Sequence, residues 1–176
     1  MIDFSRNHFE LFGLPVRFAI DEAALERAYR DLQRAIHPDR FAGEGDAQKR
    51  LALQASARAN EAHKTLRDPV ARAEYLLSLR GIDATSPSQS AMPIEFLTRQ
   101  LERREAAEEA QSTHDVPALR ALIDEVRDEA AELGAEVARL LDRGGARDAT
   151  MRVREWRFLA KLADDLDQAS AALTEP

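Results

Sequence analysis

A chain of 176 residues with 44% hydrophobic and 32% charged residues is long enough for one domain or two small ones, and too apolar to stay disordered. It contains no cysteine, which excludes a disulfide framework, a thiolate nucleophile and any cysteine-ligated zinc or iron held by this chain. The formal charge of −7 argues against broad nucleic-acid binding, which needs a basic surface to displace counterions, and leaves proteins as the expected partners.

Ala, Leu, Glu and Arg are abundant while glycines number 7 and aromatics make up 6%. The abundant types lose little rotamer freedom in a helix, so the expected fold class is all-α. The opening Met1-Ile2-Asp3-Phe4-Ser5-Arg6 lacks a basic segment followed by an apolar core. No apolar run approaches the ~20 residues that span a bilayer, and the expected location is the cytoplasm.

In chain order, a short helix is expected over Asn7 to Phe12, ended by Gly13 and Pro15. The next starts at Asp21, a good N-cap, and runs to about His37, where Pro38 disfavours helical geometry in the residue before it. Leu25, Tyr29, Leu32 and Ile36 form its buried stripe. A loop with Gly43 and Gly45 leads to a helix from about Ala47 to Leu66, whose stripe of Leu51, Ala55, Ala59, Ala62 and Leu66 implies close helix approach. Asp68-Pro69 restarts the chain into a shorter helix through Tyr75, Leu76, Leu77 and Leu79, ended by Gly81. The Ser- and Pro-containing stretch 81–92 reads as a linker. Beyond it the helices lengthen: one from Pro93 to about Thr113, one capped by Asp115 and running from Val116 to Arg143, and one from roughly Asp148 to Leu173. Leu119, Leu122, Ile123, Val126, Leu133, Val137, Leu140 and Leu141 cover about 100° of arc on the second, which is a bundle face. Trp156, Leu159, Leu162, Leu166 and Leu173 belong to the third, and Trp156 reads as a bundle anchor.

His37-Pro38-Asp39 ends an amphipathic helix and precedes a loop and an antiparallel partner helix. Alone, it is ordinary helix termination by proline. On the same helix Arg27, Arg30 and Arg34 lie within about 60° of each other, nearly opposite the apolar stripe, so a basic ridge leads to the tripeptide. The plain alternative is a solvated face, and Asp21, Glu22, Glu26 and Asp31 keep the helix from being strongly basic overall. The run from Leu25 to Arg40 resembles helix II and the His-Pro-Asp loop of a J-domain. Phe9-Glu10-Leu11-Phe12-Gly13-Leu14-Pro15, His37-Pro38-Asp39-Arg40-Phe41-Ala42 and Ala73-Glu74-Tyr75-Leu76-Leu77-Ser78-Leu79 look like the HscB branch of J-domain co-chaperones. Arg40 departs from it, because the branch often has lysine there, and the two cations differ in geometry. The resemblance implies a J-domain over residues 1–80, a linker over 81–92 and a C-terminal three-helix bundle over 93–176. It implies that His37, Pro38, Asp39, Arg27, Arg30, Arg34 and Arg40 bind a DnaK-like, HscA-type ATPase chaperone and stimulate its ATP hydrolysis.

From Phe96 the next helix reads Phe-Leu-Thr-Arg-Gln-Leu-Glu-Arg-Arg-Glu. Leu97, Thr98, Leu101, Glu102, Glu105 and Glu109 fall within about 140° on one side, a mixed apolar and acidic patch. By spacing, Leu97 and Leu101 fit a core as well as an interface, and the glutamates fit a solvated face with arginine partners at helical spacing. The HscB resemblance assigns these residues, with Phe158 on the last helix, to binding an IscU-type iron–sulfur scaffold protein. Thr98 departs from the pattern, which has a large apolar side chain there. Phe158 lies on the shoulder of its helix's apolar stripe and suits either core or interface.

His8, His37, His63 and His114 show no ligand spacing of three or four residues, so no metal site is expected, and no cofactor-binding signature occurs. His63 reads as a boundary residue beside the small-residue stripe. No Gly-rich phosphate loop, Gly-x-Ser-x-Gly or paired buried carboxylates can be placed. An enzyme using His37 and Asp39 as an acid–base pair has no third group to orient them, so a co-chaperone that is not itself an enzyme is expected. The competing binding function is a J-protein whose bundle recruits a different client.

Overall fold

A computed structural model describes residues 3, 5–37, 43, 45–86 and 92–174, and every regular element among them is helical. In order these are α1 (His8–Leu11), α2 (Glu22–Ile36), α3 (Asp46–Arg67), α4 (Pro69–Ser78), α5 (Ile94–Ser112), α6 (Val116–Asp142) and α7 (Ala146–Thr174). They fall into two compact units, residues 1–76 and 77–176, with α4 carrying the chain from one to the other.

In the first unit Asn7 closes a capping box on α1. Its side chain accepts the Glu10 N–H at 3.0 Å, and the Glu10 carboxylate accepts the Asn7 N–H at 2.9 Å. Gly13 then turns the chain at φ +66°, where a side chain would be strained. Asp21 caps α2 through the Ala24 N–H at 2.9 Å, and α2 packs antiparallel-fashion on α3 through Ile36, Ala55, Ala59 and the half-buried Leu32. Phe9, Leu25 and Leu66 are fully buried. The alanines of α3 leave no bulk between backbones, so α1 and α2 both approach it closely.

One position of the expected α3 stripe is corrected. Leu51 is exposed and Ala52 is buried in its place. Relative to Ala55 the two flank the stripe by about 40° and about 60° on opposite sides, so the side that packs depends on how the neighbouring helices cross, which periodicity does not contain. The α4 helix also ends one residue before Leu79, which is exposed.

The second unit is a three-helix bundle of α5, α6 and α7. Its core gathers Phe96, Leu119, Ile123, Val126, Leu133, Leu159 and Leu166. Asp115 caps α6 through the Ala118 N–H at 2.9 Å, and Gly144 at φ +78° closes the turn into α7. In the same unit, the buried Arg154 guanidinium donates to the carbonyls of Ala84 at 2.9 Å and Ser86 at 3.1 Å. The Asp83 carboxylate accepts the N–H groups of Thr85 and Ser86. Residues 83–86, inside the stretch read as a linker, are thereby tied to α7.

Candidate functional site

On α2 the chemistry is cationic. Arg27, Arg30 and Arg34 are exposed, on the face away from Leu25 and Ile36. Arg27 lies 3.8 Å from the N-cap Asp21, and Arg34 pairs with Asp31, so these two are screened by nearby acids but remain in solvent. His37 is exposed and leaves helical geometry at φ −56°, ψ 130°, the conformation demanded of a residue before proline. Pro38, Asp39 and Arg40, with Phe41 and Ala42, lie outside the described residues.

A polar seam holds this helix in register. The Tyr29 hydroxyl donates to Asn60 Oδ1 at 2.9 Å, and the Gln33 side chain also bonds Asn60. The Tyr29 ring stacks on His63 at 4.0 Å, and His63 Nε2 lies 2.8 Å from Glu26 Oε1. Hydrogen bonding to His63 holds the Glu26 carboxyl below the usual carboxylate range. His63 is thus more than a boundary residue. Its signal in the sequence was the pairing of a histidine with a glutamate on the partner helix, which depends on an interhelix register that no spacing rule supplies.

On α5 the buried face is Phe96, Gln100, Arg103, Ala107 and Ala110. Leu97 and Leu101 point the other way and are 43% and 57% exposed, so they are not core. Thr98, Glu102, Glu105 and Glu109 are exposed with them. The arginines nearest in sequence turn to other carboxylates. Arg103 folds inward and donates to Glu125 at 2.7 Å and Glu129 at 2.6 Å, while Arg99 reaches Glu129 at 3.2 Å and Arg104 reaches Glu108 at 3.0 Å. Burial opposes the charge on Arg103, but these two carboxylates outweigh it and raise its pKa. Phe158 rises from α7 with its ring edge-on to Phe96, centroids 5.7 Å apart. One side of Phe158 is packed, and the residue is still 39% exposed. The α5 positions and Phe158 therefore share one unit, whereas the α2 ridge and His37 belong to the other.

Ile94, which lies outside the patch expected from Leu97 onward, is 73% exposed at the first turn of α5. Its signal was the spacing of three and seven residues to Leu97 and Leu101. An open groove of about 750 Å³ beside α5 is lined in part by Arg99, Glu129, Glu136, Arg152 and Glu155. Arg152 spans Glu136 at 3.2 Å and Glu155 at 2.7 Å, so the groove presents paired charge. Among the described residues no helix is long and apolar enough to cross a membrane.

Residues 92–167 match the family model described as the HSCB C-terminal oligomerisation domain. The chain is 48% identical over 166 residues to a co-chaperone protein HscB homolog of Burkholderia multivorans, covering 94% of this chain and 95% of that one. Among solved structures it is similar to chaperone HscB from Vibrio cholerae, with a TM-score of 0.85 at 34% identity over 96% of this chain and 99% of that one. It is also similar to human co-chaperone protein HscB, with a TM-score of 0.87 at 27% identity over 95% of this chain and 83% of that one.

Proposed function

The chain belongs to the HscB family of co-chaperones, and on that premise we propose that it is a cytoplasmic adaptor between an IscU-type iron–sulfur scaffold protein and a DnaK-like, HscA-type chaperone. Its bundle binds the scaffold. Its J-domain, residues 1–80, docks on the chaperone and stimulates ATP hydrolysis there, promoting cluster transfer. The chain supplies contacts and performs no chemistry of its own on a substrate.

The observation that carries this reading is the exposure of Leu97, Leu101 and Phe158 beside Glu102, Glu105 and Glu109, on a bundle whose only other exposed large apolar side chain among the described residues is Ile94. Apolar anchors rimmed by like charges suit a small transient interface, in which each anchor contributes ~1–2 kcal/mol and the charges tune encounter. On the chaperone side, Arg27, Arg30, Arg34 and Arg40 offer charge-assisted contacts to an acidic surface. Pro38 limits the entropy lost when His37 and Asp39 are presented.

Three variants of the full chain test it together. Alanine at Leu97, Leu101 and Phe158 abolishes scaffold binding in calorimetry while leaving basal chaperone stimulation unchanged, and Leu97→Ala/Leu101→Ala, which spares the Phe96–Phe158 contact, weakens binding with the melting temperature unchanged. His37→Gln does the reverse, keeping scaffold affinity and losing stimulation in a steady-state ATPase assay. Undiminished scaffold affinity in the alanine variants, or retained stimulation in His37→Gln, removes the corresponding half of the proposal. The family model's description as an oligomerisation domain favours a second use of the bundle, self-association. A mass that rises with concentration in ultracentrifugation, and falls back in the triple-alanine variant, would assign the patch to that use.

A further inference from the structure

We propose that Ile94 is a fourth apolar anchor of the scaffold-binding face, supplying from one turn earlier the large contact that Thr98 does not make. This rests on the function proposed above and extends the site by one helical turn toward the N-terminus of α5. Taking Leu97 as the origin, Leu101 lies at about 40°, Ile94 at about 60°, Glu105 at about 80° and Thr98 at about 100°. Ile94 is thus near the middle of the proposed face. The buried positions Phe96, Gln100, Arg103, Ala107 and Ala110 centre roughly 160° away from it. Its 73% exposure therefore reflects a side chain aimed outward from the bundle, not one at the edge of the core.

A single exposed isoleucine is ordinary on a protein surface. Two observations set this one apart. Ile94 continues a row of exposed apolar side chains through Leu97 and Leu101 on the same helix, at spacings that place neighbours in contact. In addition, the Thr98 hydroxyl donates to the Ile94 carbonyl at 3.0 Å, so the polar end of Thr98 is satisfied within the helix. Bulk at position 98 is small, and bulk at position 94, one turn away on the same ridge, is large. A β-branched apolar residue gains nothing in helix propensity at a solvated first turn. Contact with a partner accounts for its presence there. The glutamates at 95, 102, 105 and 109 are all exposed and border the row. The surface that fits is an apolar patch of the scaffold protein edged by lysine or arginine.

The test uses the full chain and the apo form of an IscU-type scaffold protein in calorimetry, with Ile94→Thr, Leu97→Ala and the double variant Ile94→Thr/Thr98→Met. Threonine keeps β-branching, so helix propensity is nearly unchanged and the melting temperature stays at the wild-type value. Ile94→Thr weakens binding about tenfold, and the double variant, which returns bulk to position 98, recovers affinity to within about threefold of wild type. Wild-type affinity in Ile94→Thr alongside weakened binding in Leu97→Ala overturns the Ile94 assignment and leaves the scaffold site standing. Wild-type affinity in both removes the site and Ile94 with it. A lowered melting temperature in Ile94→Thr makes Ile94 a structural residue and likewise overturns the assignment.

Discussion

His8 donates its backbone N–H to the Tyr75 hydroxyl at 3.0 Å, stacks its ring on Tyr75 at 4.1 Å and is buried. Its Nδ1 has no hydrogen-bond partner among the described residues, so a proton added there would lack an acceptor. Burial accordingly holds the imidazole below the ordinary histidine range, with Glu61 pulling it up and Arg58 pushing it further down. As pH falls, the unfolded chain, titrating near about 6.5, takes up the proton before the folded one does. The stability linked to His8 is therefore complete above that value and is lost as pH falls toward the depressed folded pKa. Urea melts of the full chain between about pH 7.5 and about pH 5.5 are expected to show this decline, and His8→Phe, which preserves stacking, is expected to flatten it. Parallel curves for the two proteins would exclude His8 as its source. The carboxylates of Asp3, Glu26 and Asp83, also held low, lose their contribution only below the ordinary carboxylate range of about 4, so they do not confuse the test. Nothing in the spacing of His8 marks it as buried, because its burial is created by Tyr75, a residue of α4 that meets α1 only in the folded chain.

Where α6 crosses α7, a Cβ at Gly134 would lie 2.8 Å from the Trp156 ring. Alanine in a helix interior is favoured over glycine by about 1 kcal/mol, while overpacking a core costs about 1–3 kcal/mol. The atoms met belong to a rigid indole and not to a flexible chain end, so the clash wins. Gly134→Ala is expected to lower the melting temperature, and a Trp156→Leu background, which clears the space, to let the same change raise it. An unchanged melting temperature for Gly134→Ala in the wild-type background would show that the helices part without cost. Periodicity identified α6, its cap at Asp115 and Trp156 as an anchor, since these follow from residues close in sequence. It missed Gly134 as the receptor for that anchor, and Arg103 as an inward-turned charge held by Glu125 and Glu129. A helical repeat specifies a face. Which residue of another helix stands opposite is set by crossing angle and register.

At the scale of the whole chain, a protein of net charge −7 carries its exposed arginine ridge on α2 and its exposed glutamates on α5. The proposed chaperone contact therefore works through a local positive field on an acidic molecule. Replacing Arg27, Arg30 and Arg34 together by alanine is expected to slow association with the chaperone about tenfold or more at low salt and to flatten its dependence on ionic strength, because exposed charges act through a screened field. Stopped-flow association rates over a salt series check this, and an equal salt response in wild type and variant would reduce the ridge to a solvated face. Composition, helical periodicity, N-cap residues and proline placement were enough to determine an all-helical chain and its element order, because each is decided by neighbours along the chain, while the resemblance to HscB proteins rested on the runs 9–15, 25–42 and 73–79. Tertiary structure alone decided that Leu97, Leu101 and Ile94 face outward while Phe96 and Arg103 face the core, that Ala52 and not Leu51 is buried on α3, and that Arg154 ties residues 83–86 to α7. In each case several faces of a helix satisfied the local rules, and the choice among them was made by what the rest of the chain packed against it.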